Sequence, residues 1–160
     1  MSENGVAANV RQLCTFFLEG RAFGVPVEEV REVIRHQMTA RVPLAPAVVS
    51  GLINLRGQIV TAIDLRRRFG MADRAPGELP VNVIVRTEDM AVSLLVDQIG
   101  DVVEVSDEAF ETPPETLPEI DRHAVTGLYK LPDRLLILLD VEKVVDLSSF
   151  NAAAAGIGSS

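Results

Sequence analysis

The fold of this chain is decided by the stretch GLINLRGQIVTAIDL at residues 51–65. Its first half is apolar apart from Asn54 and ends at a turn, where Gly57 can adopt a positive φ without steric cost. Residues 59–63 are rich in β-branched side chains, which favours a strand. Asp64 follows where a carboxylate caps the first free N–H groups of a helix. The stretch therefore predicts a β-hairpin that leads into a short helix.

A second copy of this stretch lies further along the chain, at residues 127–141, and reads GLYKLPDRLLILLDV. The two copies align without a gap, and each matched pair is 76 residues apart, as Gly51 and Gly127 are. Asp64 matches Asp140, so both copies predict a helix cap at the same place. The chain is therefore predicted to contain an internal duplication.

The segments that precede the two copies repeat as well. Turn residues and apolar runs predict two hairpins, residues 13–18 with 22–27 and residues 81–85 with 90–96. Residues 27–34 place apolar side chains on one helical face and predict a short helix or a sharply bent strand. Residues 96–103 echo them at an offset of 69. The change of offset places an insertion in the second of two proline-rich connectors.

Short strands joined by tight turns are typical of small β-barrels. We predict a mostly β fold of two pseudo-symmetric five-stranded barrels, of the SH3 or OB kind, packed together with short helices. A single domain would span residues 11–147, with a first barrel copy over about 13–70 and a second over about 81–147, with or without an exchange of strands. Residues 1–10 and 148–160 are predicted to be flexible tails.

Two predicted strands lack the alternation of polar and apolar residues that a half-exposed strand shows. Residues 59–63 and 135–139 are apolar at almost every position, whereas strand side chains alternate between two faces. Their outer faces should therefore be covered as well as their inner faces. We predict that both strands lie near the seam between the barrels.

Composition argues against several classes of function. A net charge of -8 disfavours a nucleic-acid partner and an anionic membrane surface. No apolar run approaches the ~18 residues of a membrane span, so direct membrane insertion is not expected. Cys14 is the only cysteine, and His36 and His123 do not repeat, so neither a disulfide nor a zinc site is predicted. We expect a cytoplasmic protein without a metal, a cofactor or a catalytic residue.

Three motifs occur in order along the chain: Asn54-Leu55-Arg56-Gly57 with Asp64-Leu65, then Val96-Asp97 with Ile99, Asp101 and Val102, then Thr126-Gly127-Leu128 with Ile137-Leu138-Leu139-Asp140. They resemble the signatures of the chemotaxis coupling protein family, the CheW-like domain. The resemblance covers residues 13–147, and the order of the three motifs makes it specific. Thr61 departs from the pattern, since many relatives carry proline there.

The resemblance implies a stand-alone, non-catalytic adaptor with two five-stranded barrels. Such proteins bind the regulatory domain of a chemotaxis histidine kinase and the cytoplasmic tip of a transmembrane chemoreceptor, which recruits them to the inner face of the membrane. Two alternatives stay open: a double barrel that binds a small ligand between its halves, and an adaptor of a non-flagellar, twitching-type pathway. An enzyme with Asp64 or Asp97 as its base is disfavoured, because both aspartates are predicted at caps or turns.

Eight residues are candidates for contact with the kinase or the receptor: Val30, Glu32, Val33, Asn54, Arg56, Gly57, Ile99 and Val102. Arg56 is the sharpest candidate, because its counterpart in the second copy is Pro132 and the turn therefore does not require an arginine. Asn54 corresponds to Lys130, although it could equally cap the turn. Gly57 could serve the turn alone, and the apolar candidates could be core residues.

Overall fold

The computed structural model describes residues 10–115 and 123–147. The strands are β1 Val10–Leu18, β2 Arg21–Pro26, β3 Val30–Ile34, β4 Val49–Leu55, β5 Gln58–Asp64, β6 Val81–Arg86, β7 Ala91–Val96, β8 Gln98–Ser106, β9 Phe110–Glu111, β10 Val125–Lys130 and β11 Leu135–Leu139. Helix α1 is Leu65–Arg68 and helix α2 is Val141–Val145, and 3₁₀ turns lie at Val27–Glu29 and Asp107–Ala109. The tails predicted at residues 1–10 and 148–160 lie almost entirely outside the described residues.

The strands form two sheets, and each sheet takes strands from both sequence copies. Five strands form one sheet in the order β3-β6-β7-β5-β4, which we call the first barrel. Six strands form the other in the order β8-β1-β2-β11-β10-β9, which we call the second barrel. The hairpin β6–β7 of the second copy thus completes the first barrel, and the hairpin β1–β2 of the first copy completes the second.

Both sheets curl until their edges approach each other. In the first barrel, Ile34 of β3 and Leu55 of β4 pack against one apolar cluster, although they come from opposite edges of the sheet. In the second barrel, Val105 of the edge strand β8 shares a cluster with Tyr129 of β10. Each barrel therefore has a small core of its own, as the predicted fold class requires.

The exchange of strands is reciprocal, which shows the pseudo-two-fold relation directly. Strand β5 pairs in parallel with β7 and β11 pairs in parallel with β2, and the pairs Thr61–Val92 and Ile137–Phe23 are equivalent at the offsets of 76 and 69. Register shifts also recur at equivalent places, between residues 49 and 51 in β4 and between residues 125 and 127 in β10. The prediction of a mostly β, pseudo-symmetric fold is confirmed.

A central apolar cluster joins the two barrels. It contains Phe16 and Phe23 from the hairpin β1–β2, with ring centroids 6.1 Å apart, and Val83 and Leu94 from the hairpin β6–β7. The two exchanged hairpins therefore supply most of the strand residues at the seam.

The prediction that residues 59–63 and 135–139 lie near the seam is confirmed towards their carboxyl ends and is wrong at their starts. Ile63 and Leu139 are buried in the central cluster, and Ile137 packs against it. The first apolar residues, Ile59 and Leu135, are 61% and 53% exposed. Strand β5 begins before its parallel neighbour β7, since Thr61 pairs with the second residue of β7, Val92. Strand β11 begins level with β2, since pairing joins the second residue of each strand. Projection beyond the neighbouring strand therefore accounts for the exposure of Ile59 alone.

Local predictions hold more closely. Asp64 caps α1, because its carboxylate accepts from the backbone N–H of Arg66 at 3.0 Å. Residues 27–34 form the 3₁₀ turn and then β3, which matches the bent-strand alternative. The helical face expected there is absent, and Val33 is 39% exposed.

Asp97 is the single residue between β7 and β8, where the chain passes from the first barrel to the second. Its backbone N–H donates to the carbonyl of Phe17 at 3.0 Å, and its carboxylate accepts from the backbone N–H of Glu19 at 2.8 Å. Arg66 Nη2 and Arg74 Nε lie 2.7 Å and 2.9 Å from its carboxylate oxygens. Burial alone would raise the pKa of Asp97, but the hydrogen bonds from Arg66 and Glu19 and the charge of Arg74 hold the pKa below its ordinary value.

Gly51 and Gly127 lie at the two register shifts, where another segment crosses the strand. A Cβ at Gly51 would lie 2.5 Å from the carbonyl oxygen of Ala40, and a Cβ at Gly127 would lie 2.7 Å from that of Glu111. Both segments pair with β-strand residues at these points. Glycine is therefore required by the close approach of two backbones.

We expect Asp97→Asn to lower the free energy of unfolding at pH 7 by about 2 kcal/mol, because Arg66 and Arg74 each lose a carboxylate. The folded-state pKa of Asp97 is lowered below that of an ordinary aspartate, so its stabilisation is present at neutral pH. It is lost as the pH falls below the ordinary pKa towards the lowered one. Urea unfolding should therefore show a smaller gap between wild type and variant at pH 3. Asp89→Asn, in an exposed turn, is the control, and an equal loss in both variants would contradict the assignment.

We expect Gly51→Ala and Gly127→Ala each to destabilise the fold by about 1–3 kcal/mol, because the added methyl group meets a backbone carbonyl that cannot move aside. Gly24→Ala is the matched control, since its Cβ would lie 3.5 Å from Leu13 and Leu136 in ordinary contact. Thermal denaturation measures all three. The steric argument fails if Gly24→Ala is as destabilising as the other two.

Candidate partner-binding site

The hairpin β4–β5 turns at Arg56 and Gly57, whose φ values are 52° and 89°. Two successive positive φ values are typical of a type I′ turn, which suits the twist of a hairpin. Asn54 Oδ1 accepts from the backbone N–H of Gly57 at 2.8 Å, so that Asn54 does stabilise the turn. Gly57 and Asn54 therefore both have structural roles at this site.

Arg56 occupies the turn position that usually favours Asn, Asp or Gly. Its side chain is 68% exposed and donates from Nη2 to Oε2 of Glu32, which is 26% exposed. A non-glycine residue in the left-handed region costs about 1–3 kcal/mol, whereas an exposed ion pair contributes about 0–1 kcal/mol. The ion pair stabilises the fold by less than the strained backbone costs, so stability alone does not explain an arginine at this position.

The Arg56–Glu32 pair spans the edges of the first barrel, because Glu32 lies on β3 and Arg56 follows β4. Exposed apolar side chains lie next to it along the chain and across the hairpin. Val33 follows Glu32, and Ile59 pairs with Asn54 in the ladder. We call this set the Arg56 surface: Glu32, Val33, Asn54, Arg56 and Ile59.

Of the remaining predicted site residues, one lies in the core and two are exposed on β8. Val30 is half-buried and packs against the central cluster, so its core role is clear. Ile99 and Val102 lie on β8, an edge strand of the second barrel, and are 40% and 54% exposed. They belong to a different sheet from the Arg56 surface.

Exposed apolar residues on β8 and at the start of β11 nevertheless repeat the Arg56 surface at pseudo-equivalent positions. Val102 corresponds to Val33 at the offset of 69, and Leu135 corresponds to Ile59 at the offset of 76. We call Ile99, Val102 and Leu135 the β8 surface. Sequence reasoning missed Ile59 and Leu135, because a continuous apolar run predicts a covered strand. Their position directly after the turn in both copies was the available signal.

A cleft of about 370 Å³ lies where the barrels meet, at the place where a ligand between the halves was predicted. Its floor is apolar, with Phe23, Phe69 and Ile137, and Glu19 and Arg21 stand at its rim. The charged side chains of Glu19 and Arg21 could therefore orient a ligand there.

Asp64 and Asp97, the two aspartates considered as a catalytic base, are both held by arginines. Arg74 Nη1 donates to Asp64 at 3.1 Å, and Arg66 and Arg74 both pair with Asp97. The lowered pKa of Asp97 opposes proton uptake at neutral pH.

Comparison with known proteins agrees with this architecture. The family described as the CheW-like domain matches residues 12–149. A probable chemotaxis protein CheW from Rhizobium etli is 30% identical over 143 residues, which cover 89% of this chain and 92% of the relative. Chemotaxis protein CheW from Treponema pallidum is 32% identical over 137 residues, covering 83% and 81%.

A solved structure shares the fold as well. It is the scaffolding protein TtCheW from Thermoanaerobacter tengcongensis, which superposes with a TM-score of 0.77 at 28% identity. The match covers 85% of this chain and 92% of that protein. Among the described residues, there is no helix with the length and apolarity needed to cross a membrane. The chain belongs to the CheW-like domain family of chemotaxis coupling proteins.

Proposed function

We propose that this chain is a non-catalytic adaptor that couples transmembrane chemoreceptors to a chemotaxis histidine kinase. Its proposed partners are the regulatory domain of the kinase and the cytoplasmic tip of the receptor, which would hold it at the inner face of the membrane. Membership of the family supports an adaptor role, and the structural relative is itself a scaffolding protein.

The observation that carries the proposal is the Arg56 surface. A strained backbone, an exposed ion pair and exposed apolar side chains at Val33 and Ile59 all occur at one edge of the first barrel. Apolar side chains ringed by charged groups are typical of a protein–protein contact. We assign this surface to the receptor tip.

The β8 surface is proposed as a second contact. It lies on the other barrel and exposes Ile99, Val102 and Leu135. Two contact surfaces on separate barrels would allow one adaptor to hold two partners at once. The assignment of Ile99 and Val102 to a partner rests on this placement and on the family motif.

We expect Arg56→Ala to abolish incorporation into receptor complexes while leaving the fold and the affinity for the kinase regulatory domain unchanged. An exposed ion pair contributes about 0–1 kcal/mol, so the melting temperature should hardly move. Pull-down with receptor tip and calorimetry with the kinase domain measure the two effects separately. Arg41→Ala, at an exposed connector position, is the matched control.

Swapping the charges of Arg56 and Glu32 tests whether Arg56 contacts the receptor or only stabilises the barrel edge. If the ion pair only closes the barrel edge, Arg56→Glu combined with Glu32→Arg should restore receptor incorporation. If Arg56 contacts the receptor, the double variant should stay defective. Normal receptor incorporation by Arg56→Ala itself would remove Arg56 from the proposed contact.

We expect Ile59→Ser to weaken receptor incorporation at least about tenfold, because a side chain buried in a contact loses its apolar area there. Its stability should remain within about 0.5 kcal/mol of wild type, since Ile59 is already exposed in the free protein. Leu79→Ser is the control, because Leu79 is exposed to a similar degree, at 63%, in the linker between the copies. Equal effects of the two substitutions would contradict a specific contact at Ile59.

The cleft beside Phe23 and Phe69 supports a second candidate, the binding of a small apolar ligand. A thermal-shift screen with small metabolites tests it. Stabilisation that is lost in Phe69→Ala would favour this candidate, and it would gain weight if folded wild type failed to bind the kinase domain.

A further inference from the structure

The chain passes between the barrels at two pseudo-equivalent places. Strand β7 of the first barrel leads through Asp97 into β8 of the second, and β2 of the second leads through the 3₁₀ turn into β3 of the first. Glu28 of that turn is equivalent to Asp97 at the offset of 69. We call these places the Asp97 crossover and the Glu28 crossover.

The Asp97 crossover is fastened by opposite charges. Arg66 and Arg74 are 13% and 9% exposed, and both pair with Asp97. Arg74 also pairs with Asp64 at 3.1 Å, and Arg66 lies 3.8 Å from Glu19. Groups from α1, the linker, the β1–β2 turn and the crossover itself are therefore joined in one network, which ties the second barrel's hairpin to the first barrel.

The Glu28 crossover has carboxylates at four of the positions equivalent to those of the Asp97 crossover. Glu88 corresponds to Glu19 at the offset of 69, and Asp140 corresponds to Asp64 at the offset of 76. Glu142 stands where the first copy has Arg66, so an acid replaces the central cation. Two hydrogen bonds to these carboxylates are found among the described residues. The backbone N–H of Glu88 donates to Oε2 of Glu142 at 3.0 Å, and that of Lys143 donates to Oδ1 of Asp140 at 3.3 Å.

Two arginines, Arg11 and Arg86, also line the cleft at this crossover, which measures about 470 Å³. Within residues 10–115 and 123–147, no salt bridge joins either arginine to these carboxylates. Burial raises the pKa of Glu29, and the nearby charges of Glu28, Asp140 and Glu142 raise it further, while Arg11 acts in the opposite direction. The carboxylates that line this cleft therefore repel one another.

We infer that the two crossovers form an unequal pair, in which the Asp97 crossover fastens the barrels and the Glu28 crossover is the place where they open relative to each other. The inference does not depend on any partner. Its consequence for signalling rests on the proposed function: with one contact surface on each barrel, opening at Glu28 would change the angle between two bound partners.

Amide hydrogen exchange on the isolated protein tests the inference. Glu142→Arg places a cation at the Glu28 crossover, where the Asp97 crossover has Arg66. Because this cation would attract the surrounding carboxylates, the amides of residues 28–30 should exchange about two- to five-fold more slowly than in wild type. The effect should disappear near 1 M salt, where charges are screened beyond about 3 Å. Glu142 is exposed, so the substitution should not impair folding.

Glu104→Arg is the control, because it makes the same change of charge at an exposed position on β8. It should leave exchange at residues 28–30 unchanged. An equal effect of both variants, or no effect of Glu142→Arg, would overturn the inference. Asp97→Asn provides the converse test, since it should speed exchange at Glu19 and Asp97.

Discussion

The reciprocal exchange of hairpins is the constraint on which the rest of this structure depends. Because β1–β2 and β6–β7 each complete the barrel of the other copy, the apolar faces of both hairpins meet in one central cluster around Phe16, Phe23 and Leu94. Neither sequence copy has a complete sheet by itself, so the two barrels are expected to fold and unfold together. The exchange also forces the chain to cross the seam twice, which creates the two crossovers.

The proposed contact surfaces lie where burial by the exchanged hairpins ends. The start of β5 projects beyond its parallel neighbour and exposes Ile59, and its counterpart Leu135 is exposed at the start of β11. Arg56 stands beside one of them in a left-handed conformation that its exposed ion pair does not offset. The pseudo-symmetry gives two such edges, which differ in having arginine or proline at the turn. Under the proposed function, this difference would let the two barrels bind different partners.

Much of the fold could be predicted from the duplication. Equal spacing of Gly51 with Gly127 and of Asp64 with Asp140 revealed the two copies and their helix caps, because these features depend on local backbone chemistry. Which hairpin completes which barrel could not be read, since exchanged and unexchanged sheets present the same pattern along the chain. The exposure of Ile59 was not predicted for a similar reason. The length of β5 can be read from its own residues, whereas the neighbouring strand that covers part of it belongs to the other sequence copy. Glu32 and Arg56 were both predicted site residues, yet their ion pair joins two strand edges that only the closed barrel brings together.

The central claim is that one molecule holds two partners on two separate barrels. The most direct measurement is a calorimetric titration of the kinase regulatory domain into the free chain and into the chain already saturated with receptor tip. The account predicts binding in both titrations, with a ternary complex in the second. Loss of kinase binding once the receptor tip is bound, or its absence in a folded wild type, would contradict the account.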